Sequence, residues 1–358
     1  MHSLTIEEKI AQMIIMDLDK SEVTEKTAEF IASRKIGGIL VYKKNYSDYP
    51  SMINLINTFK EKNSANEIPL FISIDQEGGR VNRLPNEIHK MESAFKIAQM
   101  NDMEKLKQSG EIIGKILRES GINLNYAPVL DIKRFKDDHA IGDRCYGENK
   151  EDVAKYGIEV MKAMQSKKVI AAVKHFPGHG QTEKDSHFFL PKINADAMVL
   201  ENEDMKPFEE AIKNGCDAIM VGHLVVKSMD RFNPASLSKK IINTYLKQKY
   251  KFKGLIITDD LKMGAIKLRY RPEVAVYKAI LAGNDVVVIG NMEERLDKII
   301  KYVAKKVKKN KIDIRMINES VDKIINFKKK YEINDEKAKG IDIDKINSEI
   351  DNLHKIKI

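Results

Sequence analysis

Only two of the 358 residues are cysteine, Cys145 and Cys216. Two thiols do not make a disulfide framework, and Cys216 opens an apolar run, where a small core side chain fits. No apolar run is long enough to cross a bilayer. Met1 to Asp19 carries acids where a secretory leader has a basic stretch, and it shows no small-residue cleavage site. The expectation is a cytoplasmic protein with no membrane partner; the alternative is an exported one whose signal segment is missing from this chain. No low-complexity tract is present. No Gly-x-Gly-x-x-Gly follows the first strand candidate, which counts against dinucleotide binding. That strand also lacks a His-x-His pair, which counts against a metal-dependent barrel hydrolase. The net charge is +9. Its lysines are spread along the chain without interleaved aromatics, so it reads as a solvated surface and not as a nucleic-acid footprint, though it could favour an anionic polymer.

What is present is a regular alternation. Short apolar runs rich in branched residues stand at Met13 to Leu18, Gly37 to Tyr42, Pro69 to Asp75 and Ile122 to Pro128. Four more follow at Val169 to His175, Ala218 to His223, Gly254 to Asp260 and Asp285 to Gly290. Helical patterns separate them. Thr5 and Glu8 form a capping-box signature at the first. Others cover Tyr49 to Lys62, roughly Ser93 to Ser120, Asp152 to Gln165, Lys206 to Asn214, Ser238 to Gln248 and Pro272 to Ala282. Near-continuous apolar strands predict a parallel sheet covered on both faces. Eight βα units predict a single α/β domain, a (β/α)8 TIM-type barrel over 1–330, better than a doubly wound sheet. Lys- and Ile-rich helices run to about Lys330, and 331–358 reads as a small C-terminal helical extension.

Polar residues collect where the strand candidates end. Asp75 and Arg83 follow the third, Asp131 and Arg144 the fourth, and His223 ends the sixth. Asp259 and Asp260 end the seventh. The densest stretch follows the fifth, Lys174-His175-Phe176-Pro177-Gly178-His179-Gly180, with Asp185-Ser186-His187 just beyond. Pro177, Gly178 and Gly180 place it on a loop. Asp185 stands two residues from His187, close enough to hold one imidazole nitrogen and raise the basicity of the ring. Barrel active sites form from such loops at the C-terminal strand ends. A carboxylate ending an apolar strand is costly unless paired; Arg83, Arg144 or Lys174 could offset Asp75 and Asp259.

Three of these stretches together resemble glycoside hydrolase family 3, in its bacterial β-N-acetylglucosaminidase branch. They are Ile74 to Arg83 (IDQEGGRVNR), Lys174 to Gly180 with Asp185 to His187, and Thr258 to Met263 (TDDLKM). Leu4 to Gln12 and Gly142 to Gly147 also fit. The resemblance covers roughly residues 4 to 290, and the Lys-His-Phe-Pro-Gly-His-Gly string with its Asp-Ser-His is its most specific part.

The resemblance implies a retaining hydrolase acting on terminal β-linked GlcNAc, from peptidoglycan fragments or chito-oligosaccharides. Asp259 is then the nucleophile, with Asp260 the competing choice from sequence. His187 is the acid/base and Asp185 its orienting partner. Asp75, Arg83, Arg144, Lys174 and His175 bind the terminal sugar, while Glu77 and Arg80 support them, His179 shapes the loop and His223 lines the pocket. Gln76 is a departure at a position expected to vary. Histidine suits acid/base work because its ordinary pKa lies near working pH. The partner implied is a small carbohydrate, with no nucleic acid, metal or other cofactor, and the chain is expected to be a monomer. The rival readings are a phosphorylase of the same family, a metal-dependent barrel hydrolase and a non-catalytic sugar-binding protein.

Overall fold

The computed structural model describes residues 4–18, 23–135, 140–180, 190–290 and 293–355. Thr5 opens the first element as its spacing to Glu8 predicts. Its Oγ1 accepts the Glu8 N–H at 3.2 Å, and the Glu8 carboxylate accepts the Thr5 N–H at 2.8 Å. That box starts the helix Ile6–Gln12, which feeds the chain into the first strand.

Eight strands follow, one in each expected run. They are β1 (Ile14–Asp17), β2 (Gly38–Val41), β3 (Phe71–Ile74), β4 (Leu124–Asn125), β5 (Ile170–Phe176), β6 (Ala218–Val221), β7 (Leu255–Thr258) and β8 (Val287–Ile289). Every residue in them is buried, the signature of a parallel sheet with both faces covered. Each pairs in parallel with its neighbours in sequence, and β1 also pairs with β8. Between β7 and β8 an Ile257–Val286 bridge closes the ring, and the Thr258 N–H donates to the Val286 carbonyl at 3.0 Å. This is the (β/α)8 barrel.

The shortest strand, β4, is extended by side chains. Asn123 accepts the Ile72 N–H at 3.0 Å and donates to the Leu70 carbonyl at 3.1 Å. Asn125 does the same to Gln76, both contacts at 2.9 Å. Two buried amides thus replace backbone partners and leave no polar atom of the β3 edge stranded.

One helical expectation needs correction. The stretch from Ser93 to Ser120 is two helices, Ala94–Gln99 and Met103–Glu119. Asn101 takes a φ of 47°, and Asp102 caps the second helix by accepting from the Glu104 and Lys105 N–H groups. The apolar spacing carries across this break, so periodicity alone does not reveal it. The second helix lies very close to Lys150–Ser166, because a Cβ at Gly110 would stand 2.7 Å from the Ala163 Cβ.

Cys145 and Cys216 are both buried free thiols. The helices Glu293–Lys308 and Ile314–Lys330 complete the outer layer. After them the chain crosses the barrel bottom, and the helix Ile343–His354 sets buried Ile346, Ile350 and Leu353 into the main core. Among the described residues no helix is long and apolar enough to cross a membrane.

Candidate active site

A cavity of about 500 Å³ opens at the C-terminal ends of the strands, where barrel catalysis is built. Asp75, Arg83, Arg144, Lys174, His175 and Asp259 all line it, together with Asp17, Glu77, His179 and Asp260. Six of the eight expected site residues therefore meet in one cavity of ordinary small-molecule size. The other two, Asp185 and His187, lie outside the described residues.

Glu77 is the hub of one wall. Its carboxylate takes both Arg144 nitrogens, Nε and Nη2, at 2.8 Å, and Lys174 Nζ at 2.6 Å. Lys174 also reaches Asp75 Oδ1 at 2.5 Å. Two acids and two bases thus compensate each other, as burial of charge requires. Burial alone would raise the Glu77 carboxyl; Arg144 and Lys174 outweigh it and hold Glu77 below the ordinary carboxylate range. The same contacts keep Lys174 charged: burial pulls its ammonium down, and Asp75 and Glu77 push it above its usual value. Arg80, which also lines the cavity, donates to the Ala140 and Ile141 carbonyls at 3.0 and 3.1 Å and so fixes the turn that carries Arg144.

Arg83 is placed by its backbone. Gln76 Oε1 accepts its N–H at 2.8 Å, and the Tyr46 hydroxyl donates to its carbonyl at 2.8 Å. Gln76 Nε2 donates to Asn82 at 2.8 Å, so this departure from the family pattern is a positioning residue.

Beside this wall a second group of contacts rests on Asp131. Its Oδ2 lies 2.6 Å from His175 Nδ1, and its Oδ1 accepts the His179 N–H at 2.7 Å. Burial would raise this carboxyl, but His175 and His179 hold it below the usual range. A carboxylate accepts only, so it assigns the proton to His175 Nδ1 and leaves Nε2 as the ring's other polar atom.

Asp259 follows β7 directly. Its N–H donates to the Val221 carbonyl at 3.0 Å, and its Oδ1 accepts the Asp260 N–H at 2.8 Å. Asp260 is a different group. Burial first, then its hydrogen bond and charge contact with Asp17, raise its carboxyl well above the ordinary value. His223 corrects an expectation: it does not line the cavity but lies fully buried behind it. Its Nε2 is 2.9 Å from the Asp260 carbonyl and its Nδ1 2.7 Å from Ser236 Oγ, so it props the backbone that aims Asp259.

Two features escape a reading of the sequence. Asp131 is visible as an acid after an apolar stretch, but not its grip on His175 in β5 and on the His179 N–H just beyond it. Asp17 ends β1 as Asp259 ends β7, inside a run that otherwise reads as core. The same signal, a carboxylate closing an apolar strand, identifies it.

The sequence profile described as "Glycosyl hydrolase family 3 N terminal domain" matches residues 5–327. A β-hexosaminidase from Tolumonas auensis is 32% identical over 282 residues, covering 78% of this chain and 82% of that protein. Beta-hexosaminidase A from Pseudoalteromonas piscicida is 30% identical over 328 residues, and this chain spans only 55% of its length. The solved family 3 β-N-acetylglucosaminidase from Paenibacillus sp. superposes with a TM-score of 0.91 at 30% identity, over 98% of this chain and 68% of that one. The strands, the cavity at their C-terminal ends and these matches agree: the chain belongs to glycosyl hydrolase family 3.

Proposed function

We propose that this protein is a retaining exo-β-N-acetylglucosaminidase that removes terminal β-linked GlcNAc from peptidoglycan fragments or chito-oligosaccharides. The observation that carries this reading is the meeting of Asp259 with Asp75, Arg144, Lys174 and His175 in one cavity. Relatives named β-hexosaminidase support the substrate class, as does the β-N-acetylglucosaminidase that superposes on the chain.

In this mechanism an Asp259 oxygen bonds to the anomeric carbon while the glycosidic bond breaks. The His187 imidazolium gives its proton to the departing oxygen. Water then attacks the same carbon, His187 takes the proton of that water, and Asp259 leaves as carboxylate. Asp185 orients His187. Asp75, Arg83, Arg144, Lys174 and His175 hold the sugar; hydroxyls both donate and accept, so a wall of paired acids and bases suits them. The family resemblance picks Asp259, the Asp directly after Thr258, over Asp260; burial and the neighbouring Asp17, which raise the Asp260 carboxyl, agree with that choice.

The test is product analysis with a β-GlcNAc disaccharide, with and without inorganic phosphate. Free GlcNAc as the product in both cases supports the hydrolase. GlcNAc 1-phosphate in the phosphate arm would make the chain a phosphorylase, and no product in either would remove the activity.

A further inference from the structure

The C-terminal extension reaches from the bottom of the barrel to the loop that builds the site. At the bottom, Arg118 donates to the Tyr331 and Glu332 carbonyls, and Lys60 to those of Asn334 and Glu336. Further on, the Ile341 N–H donates to the Tyr49 hydroxyl at 2.8 Å. The helix Ile343–His354 follows and carries two stripes, one residue apart. Ile346, Ile350 and Leu353 are buried in the core. Asn347, Asp351 and His354, at the same spacing, all meet the segment 87–92. Asn347 Oδ1 accepts the His89 N–H at 2.8 Å, and its Nδ2 donates to the Glu87 carbonyl at 2.9 Å. Asp351 Oδ1 lies 2.8 Å from His89 Nδ1, and His354 Nε2 accepts the Glu92 N–H at 3.4 Å. Residues three and four apart share a helix face, so this second stripe is a row of contacts and not a solvated face.

Segment 87–92 lies in turn on the loop after β3, which carries Glu77, Arg80 and Arg83. The Gly79 N–H donates to the Met91 carbonyl at 2.9 Å. Gly78 and Gly79 take φ values of 91° and 52°, the left-handed region that glycine enters freely. Neither position has room for a side chain. A Cβ at Gly78 would stand 2.7 Å from the Glu92 carbonyl oxygen, and one at Gly79 would stand 2.7 Å from the Ser93 Cβ. Chain therefore packs directly on the backbone of this turn, and a close-packed contact of that kind transmits a shift instead of absorbing it. Across the turn the Glu77 N–H donates to the Val81 carbonyl at 3.1 Å, and the Glu77 carboxylate holds Arg144 and Lys174. Contacts thus run without a break from Asn347 to the Glu77 wall. Among the described residues that line the cavity, none comes from the C-terminal helix.

We propose that the C-terminal helix positions the sugar-binding wall, with Asn347 as the positioning residue. Asn347 fixes segment 87–92, that segment fixes the Gly78–Gly79 turn, and the turn sets where Glu77 and Arg83 stand. The proposal rests on the reading of the cavity as a glycosidase site and adds to it a residue that acts only through others. Asn347 carries the effect because its amide serves two backbone groups at once. The Asp351–His89 pair is about half exposed on both sides, at 55% and 51%, and such a pair holds weakly. A wall that grips the sugar in the ground state and the transition state alike sets KM more than kcat.

The test compares Asn347→Ala with Glu349→Ala, each in the whole chain. Glu349 lies on the same helix and pairs with Lys115 at 2.9 Å. Hydrogen exchange at the Gly79 amide reads the transmission directly. Asn347→Ala should speed it about tenfold, the worth of a lost hydrogen bond or two, and Glu349→Ala should leave it unchanged. With a β-GlcNAc disaccharide, Asn347→Ala should raise KM roughly tenfold and leave kcat near its wild-type value. Free GlcNAc should bind it more weakly by the same factor in calorimetry, while Glu349→Ala matches the wild type throughout. An unchanged Gly79 exchange rate in Asn347→Ala would overturn the proposal. So would faster exchange with KM and GlcNAc affinity unmoved. Equal changes in both variants would also overturn it, reducing the helix to a brace for the fold. The exchange and GlcNAc-binding arms decide the proposal even if the wild type cuts no glycoside, an outcome that would remove the glycosidase reading alone.

Discussion

Asp131 Oδ2 lies 2.6 Å from His175 Nδ1, and both groups are buried. The pair joins β4 to β5, and it decides which nitrogen of His175 is protonated. Asp131→Asn should replace the acceptor by an amide that donates to Nδ1, moving the proton to Nε2. The ¹⁵N shifts of His175 should exchange their assignments. Turnover should fall on the order of 10²-fold, as misplaced site groups do, and the fold should lose about 1–3 kcal/mol. Unchanged ¹⁵N shifts would mean that the ring is set by something else.

Lys328 offers a pH test far from the chemistry. It is buried at the bottom of the barrel, with Nζ 2.9 Å from the Gly37 carbonyl and 3.2 Å from Gln12 Oε1. Burial pulls its ammonium down to about 7 from 10.5. The sign follows from linkage. Between those values the unfolded chain binds a proton that the folded chain does not, so stability rises with pH across that window. The cost of burying this lysine is largest below about pH 7 and vanishes above 10.5. It amounts to roughly 5 kcal/mol at full size. Urea unfolding from pH 7 to 10 should show wild type gaining on Lys328→Met. The slope is diagnostic and the level is not, because methionine also takes the donor from Gln12 Oε1, while the Gly37 carbonyl keeps the Phe71 N–H. Parallel curves would contradict the depressed value.

Much of this is legible in the sequence. The eight strands are, because a parallel strand buried on both faces leaves an unbroken apolar run, as in Val169 to Val173. The break at Asn101 is not, since a local left-handed residue does not disturb helical spacing on either side. The short ribbon of Lys192–Ile193 with Val225–Val226 was also hidden, because two-residue strands carry no period. In the site, acids ending apolar strands gave Asp75 and Asp259. Which cation pairs with which acid was not readable: Arg144 turns to Glu77, and Lys174 bridges Glu77 and Asp75, by approaches that only the closed barrel sets. His223 misled because a histidine at a strand end looks catalytic whether its ring faces the cavity or the backbone behind it.

His187 is tested by leaving group. With a sugar aglycone, His187→Ala should lose about 10² to 10⁴-fold, the usual worth of general acid–base catalysis. With a nitrophenyl aglycone, which departs without a proton, bond cleavage should suffer less, and the covalent intermediate should accumulate because water still needs a base. Asp185→Ala should show a milder form of the same profile. A ratio between the two substrates that His187→Ala leaves unchanged would take His187 out of the chemistry.

The central claim is that Asp259, and not Asp260, bonds to the sugar. The direct measurement is trapping with a fluorinated GlcNAc analogue whose leaving group departs readily, followed by peptide mass spectrometry. The account predicts one glycosyl adduct per chain, on Asp259, and none on the Asp259→Asn protein, which should stay folded with almost no turnover. An adduct on Asp260, or full activity in Asp259→Asn, would contradict it.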